Sequence, residues 1–183
     1  MKLNVLLPIA KGTEEIEAVV PIDLFRRSGI HVLVVGDSYT VECSNGVKIF
    51  PDIKFDMLKI EQDYSAIVLP GGLAAVEKLS QQDILIDILK KHNKFNKLIG
   101  AICAAPLILA NNDLLPANAK ITSHPSVKDK LFKFQHIEDK VVFYKNIITS
   151  PGAGTSFDFA LAIIEQLRGK QFAQKVAKSI LYS

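Results

Sequence analysis

Leu98-Ile99-Gly100-Ala101-Ile102-Cys103-Ala104-Ala105-Pro106 is the stretch on which the fold turns. Its first part is an apolar run without alternation, as in a strand buried on both faces. A second apolar stretch, Leu107 to Ala110, follows at once. A short strand that breaks straight into a helix places Cys103 on a sharp turn, its side chain aimed at the first N–H groups of that helix. A thiol so placed ionises readily, since a helix N-terminus lowers cysteine pKa to roughly 3.5–7.5. A buried structural cysteine is the alternative reading of the same segment.

Outward from this stretch, strands alternate with helices. Val5 to Ile9 reads as a first strand, and Thr13 to Ser28 as a helix with Thr13 as N-cap, Glu14 and Glu15 in its first turn and Gly29 as stop signal. His31 to Val35 is the next strand. Asn45-Gly46 between Val41–Cys43 and Val47–Ile49 predicts a hairpin. Ala66 to Leu69 ends in Pro70-Gly71-Gly72, and a long helical region runs from there to about Lys91. A short strand, Lys120 to Ser123, reaches His124-Pro125, and a charged helix is expected around Val127 to Phe134. Val141–Tyr144 and Ile147–Thr149 suggest a second hairpin. Helices from Ser156 to about Leu167 and on to Leu181 close the chain, with Gly169 between them. Several strands apolar on both faces indicate an α/β fold, a mostly parallel, doubly wound sheet sandwiched between helices. Ligands of such sheets bind beyond the carboxyl ends of the strands, so chemistry is expected at residues 10–12, 70–73, 103–106, 124–125 and 150–154.

The 183 residues fit one domain, 1–183, with 49% hydrophobic and 22% charged residues and a formal net charge of +3. No basic stripe interleaved with aromatics suggests nucleic-acid binding, and no apolar run reaches the roughly 20 residues a membrane span needs. The apolar start of the chain faintly resembles a signal peptide but is short and leads into Lys11-Gly12-Thr13-Glu14-Glu15, so it reads as a strand. Cys43 and Cys103 lie far apart and without metal-ligand spacing, as free thiols of a reducing compartment; a cytoplasmic location is expected. No metal or dinucleotide motif is present.

Three further groups carry candidate chemistry. Gly71-Gly72 lets a ligand approach the backbone closely, and the amides of Gly72 and Ala104 together would form an oxyanion hole; a plain turn is the simpler reading. Glu17, flanked by Ile16, Ala18 and Val19, is either a solvated helix carboxylate or a buried one. Buried beside a thiol, it would have a raised pKa and could shuttle a proton. His124, extended before Pro125, can reach over the sheet edge and pair with the thiol. His92 and His136, in polar and lysine-rich surroundings, read as surface residues.

Five stretches taken together, Ala10–Glu17, Val68–Gly72, Ala101–Pro106, Thr122–Pro125 and Gly154–Leu161, resemble the ThiJ/PfpI superfamily, in its parkinsonism-associated protein deglycase branch. The resemblance spans nearly the whole chain and implies a flavodoxin-like α/β/α sandwich that forms a homodimer. It implies Cys103 as nucleophile, Glu17 as its protonated hydrogen-bond partner, His124 as third member of the site, and Gly72 and Ala104 as the amides facing the substrate oxygen. Where the protease-like branch has a His after the nucleophile this chain has Ala104, and where amidotransferase sites have Gly it has Ala105; both departures argue against those activities. Asn45 and Pro151 stand where some members carry anion-binding arginines. Arg26-Arg27 matches a helix end at the dimer contact, and Cys43 a peripheral cysteine. The implied function is a cofactor-independent glyoxalase or protein deglycase acting on a small 2-oxoaldehyde or a glycated protein, without metal, nucleic acid or membrane. The alternative is an oxidative-stress sensor or redox chaperone with an oxidisable Cys103.

Overall fold

The structure, a computed structural model, describes residues 3–182. The chain opens with β1 (Asn4–Ile9), α1 (Glu15–Arg27) and β2 (His31–Gly36), and then makes a hairpin of β3 (Val41–Glu42) and β4 (Lys48–Ile49). It continues through β5 (Ile53–Lys54), β6 (Ala66–Leu69), α2 (Leu73–Leu79), α3 (Asp83–Lys94), β7 (Leu98–Ile102) and α4 (Pro106–Asn111). Next come β8 (Lys120–Ile121), β9 (Gln135–His136), β10 (Val142–Tyr144), β11 (Ile147–Ser150), α5 (Ser156–Arg168) and α6 (Lys170–Ser179). Seven strands form the central sheet in the order β10-β11-β7-β6-β1-β2-β5. All neighbours are parallel except the β10/β11 pair.

Both faces of the sheet are dry, which is why its central strands read as unbroken apolar runs. Val5, Leu7 and Ile9 of β1 point to the layer of α1, α5 and α6, where Phe25, Phe159 and Ile163 meet them. Leu6 points the other way, with Ile67 and Leu69 of β6, into the layer of α2, α3 and α4. Between β1 and β6 the direction of winding reverses, the switch point at which open α/β sheets form a crevice beyond their carboxyl ends. The loops after β1, β6 and β7 all reach that crevice.

The structure corrects several expectations. Helix α1 is capped by Glu14, whose carboxylate accepts from the Glu17 N–H at 2.9 Å, while Thr13 turns back to bond Ala10. The long helical region after Gly72 is two helices, broken at Ser80–Gln82. The charged helix near residue 127 is a 3-10 turn over Pro125–Leu131. The strand before His124 pairs with β9 in a small separate sheet.

His92 is not a surface residue: it is 4% exposed, and its Nε2–H donates to the Leu98 carbonyl at 3.0 Å. Burial holds its imidazole down, at about 4. The unfolded chain therefore binds a proton more tightly than the folded one, and acid favours unfolding. This contribution is intact above the ordinary histidine value of about 6.5 and is lost as pH falls toward 4. Urea midpoints measured from pH 7 to pH 4 should fall more steeply for the wild type than for His92→Gln, which keeps a donor and does not titrate. Parallel curves would show that His92 carries no such linkage.

Candidate functional site

Cys103 is the residue at which β7 gives way to the turn before α4. Its φ is +63°, a left-handed conformation that is uncommon for a side chain other than glycine. Such a conformation costs on the order of 1–3 kcal/mol and persists only where the surroundings fix it. Two backbone bonds do so: Cys103 N–H donates to the Ser150 carbonyl, and His124 N–H donates to the Cys103 carbonyl, each at 2.9 Å. The thiol is thereby held at the mouth of the crevice, half-buried.

Glu17 reaches the same point from the first turn of α1 and is wholly buried. Its Oε2 accepts from the Gly71 N–H at 2.8 Å, whereas Oε1 is buried with no partner. Gly71 separates the two reactive groups. A Cβ added there would lie 2.6 Å from Glu17 Oε2, 2.6 Å from Cys103 Cβ and 3.0 Å from Sγ, so only glycine lets carboxyl and thiol approach across it. Gly72, with φ of +90°, packs against the Gly12 carbonyl so tightly that a Cβ would sit 2.1 Å from that oxygen. The backbone N–H groups of Gly72 and Ala104 both point at the sulfur.

Burial pushes Glu17 up, to about 7, against the opposing Gly71 N–H bond. Burial also pushes the Cys103 thiol up, to about 12, and the negative charge of Glu17 adds to that. The amides of Gly72 and Ala104 pull the other way without prevailing. The expectation of a thiol ionised by its helix is thus corrected: α4 has only six residues, and desolvation beside a carboxylate outweighs its dipole. Each group resists ionisation while the other is charged, so the two share one proton and titrate as a pair.

His124 is brought to the same place only in part. Its ring is exposed and its Nδ1 is bonded to Ser126, accepting from the backbone N–H at 3.2 Å with the hydroxyl at 2.8 Å. No hydrogen bond joins the imidazole to the thiol among the described residues. Ring and carboxyl instead flank Gly152, where a Cβ would lie 3.6 Å from His124 Cδ2 and 3.9 Å from Glu17 Oε1. That notch is open to a small group lying between them.

The residues that build the site from behind were read from sequence only as first-turn acids of the helix and as a hairpin, without a part in the site. Glu14 N–H donates to the Gly71 carbonyl at 3.1 Å, tying the start of α1 to the Pro-Gly-Gly loop. Glu15 holds the tip of the β3/β4 hairpin through the Ser44 hydroxyl at 2.9 Å and the Asn45 N–H at 3.0 Å. Burial works against the Glu15 carboxylate, but these bonds together hold it below its usual range. The run of three acids within four residues, Glu14, Glu15 and Glu17, was the available signal. Cys43 is buried in this hairpin, and burial pushes its thiol up to about 11, with the charges of Glu15 and Glu14 adding. No group of three or more metal-ligating side chains occurs among the described residues.

Gly71→Ala must displace either the thiol turn or the Glu17 carboxyl. The expected cost is about 1–3 kcal/mol of stability, read from the urea midpoint. Gly154→Ala, where an added methyl meets nothing within 4 Å, should stay within about 0.5 kcal/mol of wild type. Equal midpoints for the two variants would mean that the crevice is slack.

The chain and its fold have similar counterparts among known proteins. The model of the DJ-1/PfpI family matches residues 3–166. Protein DJ-1alpha of Drosophila melanogaster is 42% identical over 184 residues, covering 98% of this chain and 84% of that protein. The glutathione-independent glyoxalase DJR-1.2 of Caenorhabditis elegans is 36% identical over 179 residues, covering 96% and 94%. The crystal structure of Drosophila melanogaster DJ-1beta superposes with a TM-score of 0.94 at 37% identity, covering both chains fully. With a family match over most of its length and relatives of this identity, the chain belongs to the DJ-1/PfpI family.

Proposed function

We propose that the protein is a cofactor-independent glyoxalase that converts a 2-oxoaldehyde such as methylglyoxal to the hydroxy acid, with Cys103 as nucleophile. One observation carries the reading: a wholly buried carboxyl, Glu17, with a pKa of about 7, faces the thiol across a glycine that brings them together. A carboxyl tuned to neutrality beside a nucleophile suits proton transfer at physiological pH. The glyoxalase name of the Caenorhabditis elegans relative supports the same chemistry.

In this reading the thiol gives its proton to Glu17 as sulfur bonds to the aldehyde carbon, and Glu17 passes that proton to the new alkoxide, forming a hemithioacetal and leaving the carboxylate free to act as a base. The N–H groups of Gly72 and Ala104, aimed at the sulfur, flank the place where the former carbonyl oxygen gathers charge. The hydrogen on the aldehyde carbon then passes as a proton to a basic group and returns to the neighbouring carbon. Glu17, with its unpartnered Oε1, and His124, across the Gly152 notch, are the groups placed to carry it. The result is a thioester of the hydroxy acid. Water cleaves it, releasing the acid and restoring the thiol. One carbon is oxidised and its neighbour reduced, so the balance needs no external redox partner. Early glycation adducts that retain the same carbonyl chemistry are substrates of the same kind.

The protein acts as a homodimer in the cytoplasm in this account. Ile16 and Val19 of α1 and Val47 and Phe50 beside the hairpin are exposed apolar residues, and Glu15 ties the two segments together. A second copy would cover them. Oxidation of the half-buried Cys103 to a sulfinate is the second reading, supported by the sulfur's access to the crevice mouth and by the two amides that would hold an acid anion there.

Methylglyoxal turnover should fall by at least about 100-fold in both Cys103→Ser and Glu17→Ala, and less in His124→Ala. Equal rates for wild type, Cys103→Ser and Glu17→Ala would overturn the enzymatic reading. If turnover is negligible in the wild type while mild peroxide adds two oxygens to Cys103 by intact mass, the sensor reading takes its place.

A further inference from the structure

Three hydrogen bonds join Glu14, Glu17 and Gly71 in a ring. The Gly71 N–H donates to Glu17 Oε2 at 2.8 Å, the Glu17 N–H donates to Glu14 Oε2 at 2.9 Å, and the Glu14 N–H donates to the Gly71 carbonyl at 3.1 Å. Glu14 thus holds both the backbone of the buried carboxyl and the glycine that receives that carboxyl. Its own carbonyl accepts from the Ala18 N–H at 3.2 Å, which fixes it to the helix as well.

Capping a helix does not by itself call for this residue. Ser, Thr, Asp and Asn are the preferred caps, and Thr13 stands beside Glu14 with its hydroxyl turned back to the Ala10 carbonyl. What Glu14 offers beyond Thr13 is a charged acceptor. Glu14 is half-buried and Glu17 wholly buried, so water screens the repulsion between their charges only weakly. Among the described residues, the titratable groups facing Glu17 are Glu14 on its own helix, Cys103 across Gly71 and His124 across the Gly152 notch. Glu15 is turned to the hairpin at Ser44 and Asn45, and Asp158 of α5 is paired with Lys140. Burial is the main cause of the raised Glu17 pKa, and the charge of Glu14 adds to it.

We propose that Glu14 is a positioning residue for the proton transfer: through the ring it sets the Glu17 carboxyl against Gly71 and the thiol, and its negative charge favours the protonated form of Glu17. The effect on rate rests on the aldehyde-addition reading, whereas the hold on the Glu17 proton does not depend on it.

Three variants separate the bond from the charge. Glu14→Asp keeps an acceptor and a charge, Glu14→Gln an acceptor alone, and Glu14→Ala neither. The Glu17 carboxyl is followed by its own ¹³C signal, titrated in a Cys103→Ala background so that no thiol shares the proton. Its midpoint should move to lower pH in Glu14→Gln and stay at the background value in Glu14→Asp, and the dispersion of the same spectra reports that each variant is folded. With Cys103 in place, methylglyoxal kcat should fall about tenfold in Glu14→Ala with KM within about twofold. Glu14→Gln should recover most of that rate, with the acid limb of its pH profile displaced to lower pH. An unmoved Glu17 midpoint in Glu14→Gln, or equal losses of rate in Glu14→Ala and Glu14→Gln, overturns the proposal. If no aldehyde is turned over by wild type but Glu14→Gln lowers the midpoint, the hold on the proton stands and the glyoxalase reading fails. If methylglyoxal is turned over and the midpoint does not move, the reading stands and the proposal fails.

Discussion

A carboxyl group held out of water organises the crevice of this protein. Glu17 is wholly buried one turn into α1, where an ionised carboxylate is expensive unless it is bonded or protonated. Much of the surrounding backbone answers to that constraint. The Gly71 N–H supplies one bond, the absence of a side chain at Gly71 makes room for the thiol, and Glu14 anchors the helix start to the same loop. The second carboxyl oxygen is left unbonded, which is where a proton has a reason to reside.

The ionisation of Cys103 differs from what a strand–helix junction alone suggests. A helix N-terminus favours a thiolate only where desolvation does not dominate, and here a short helix competes with burial and a neighbouring negative charge. In the proposed mechanism the thiolate is reached when its proton moves to Glu17, because that step also removes the charge opposing it. Sulfur and carboxyl thus form a single acid with one negative charge to place. The strained backbone of Cys103, pinned from Ser150 and His124, keeps the sulfur in line with the amides through that exchange.

Much of this was legible in the sequence, for identifiable reasons. Strands apolar on both faces announce a sheet covered on both sides, and the ends of β1, β6 and β7 mark the loops that meet. The two-residue strands β5 and β9 were invisible because no periodicity exists over two residues. The burial of His92 was legible after all: it lies seven residues after Leu85, four after Ile88 and three after Leu89, on the buried stripe of α3, but its lysine neighbours dominated the reading. Cys103, Glu17 and the Gly72 loop could be nominated from local chemistry. The protonation balance could not, because it depends on how deeply three separate loops bury one another. The bonding of His124 to Ser126 depends on a 3-10 turn that sequence suggested as a helix.

The shared proton is tested most directly by the pH dependence of Cys103 alkylation with iodoacetamide in wild type and Glu17→Gln. The account predicts a first rise in wild type near pH 7, where the pair loses its first proton, and loss of that rise in Glu17→Gln, which retains a single step at higher pH. Superimposable profiles, each with the unperturbed thiol midpoint of about 8.5, would contradict it.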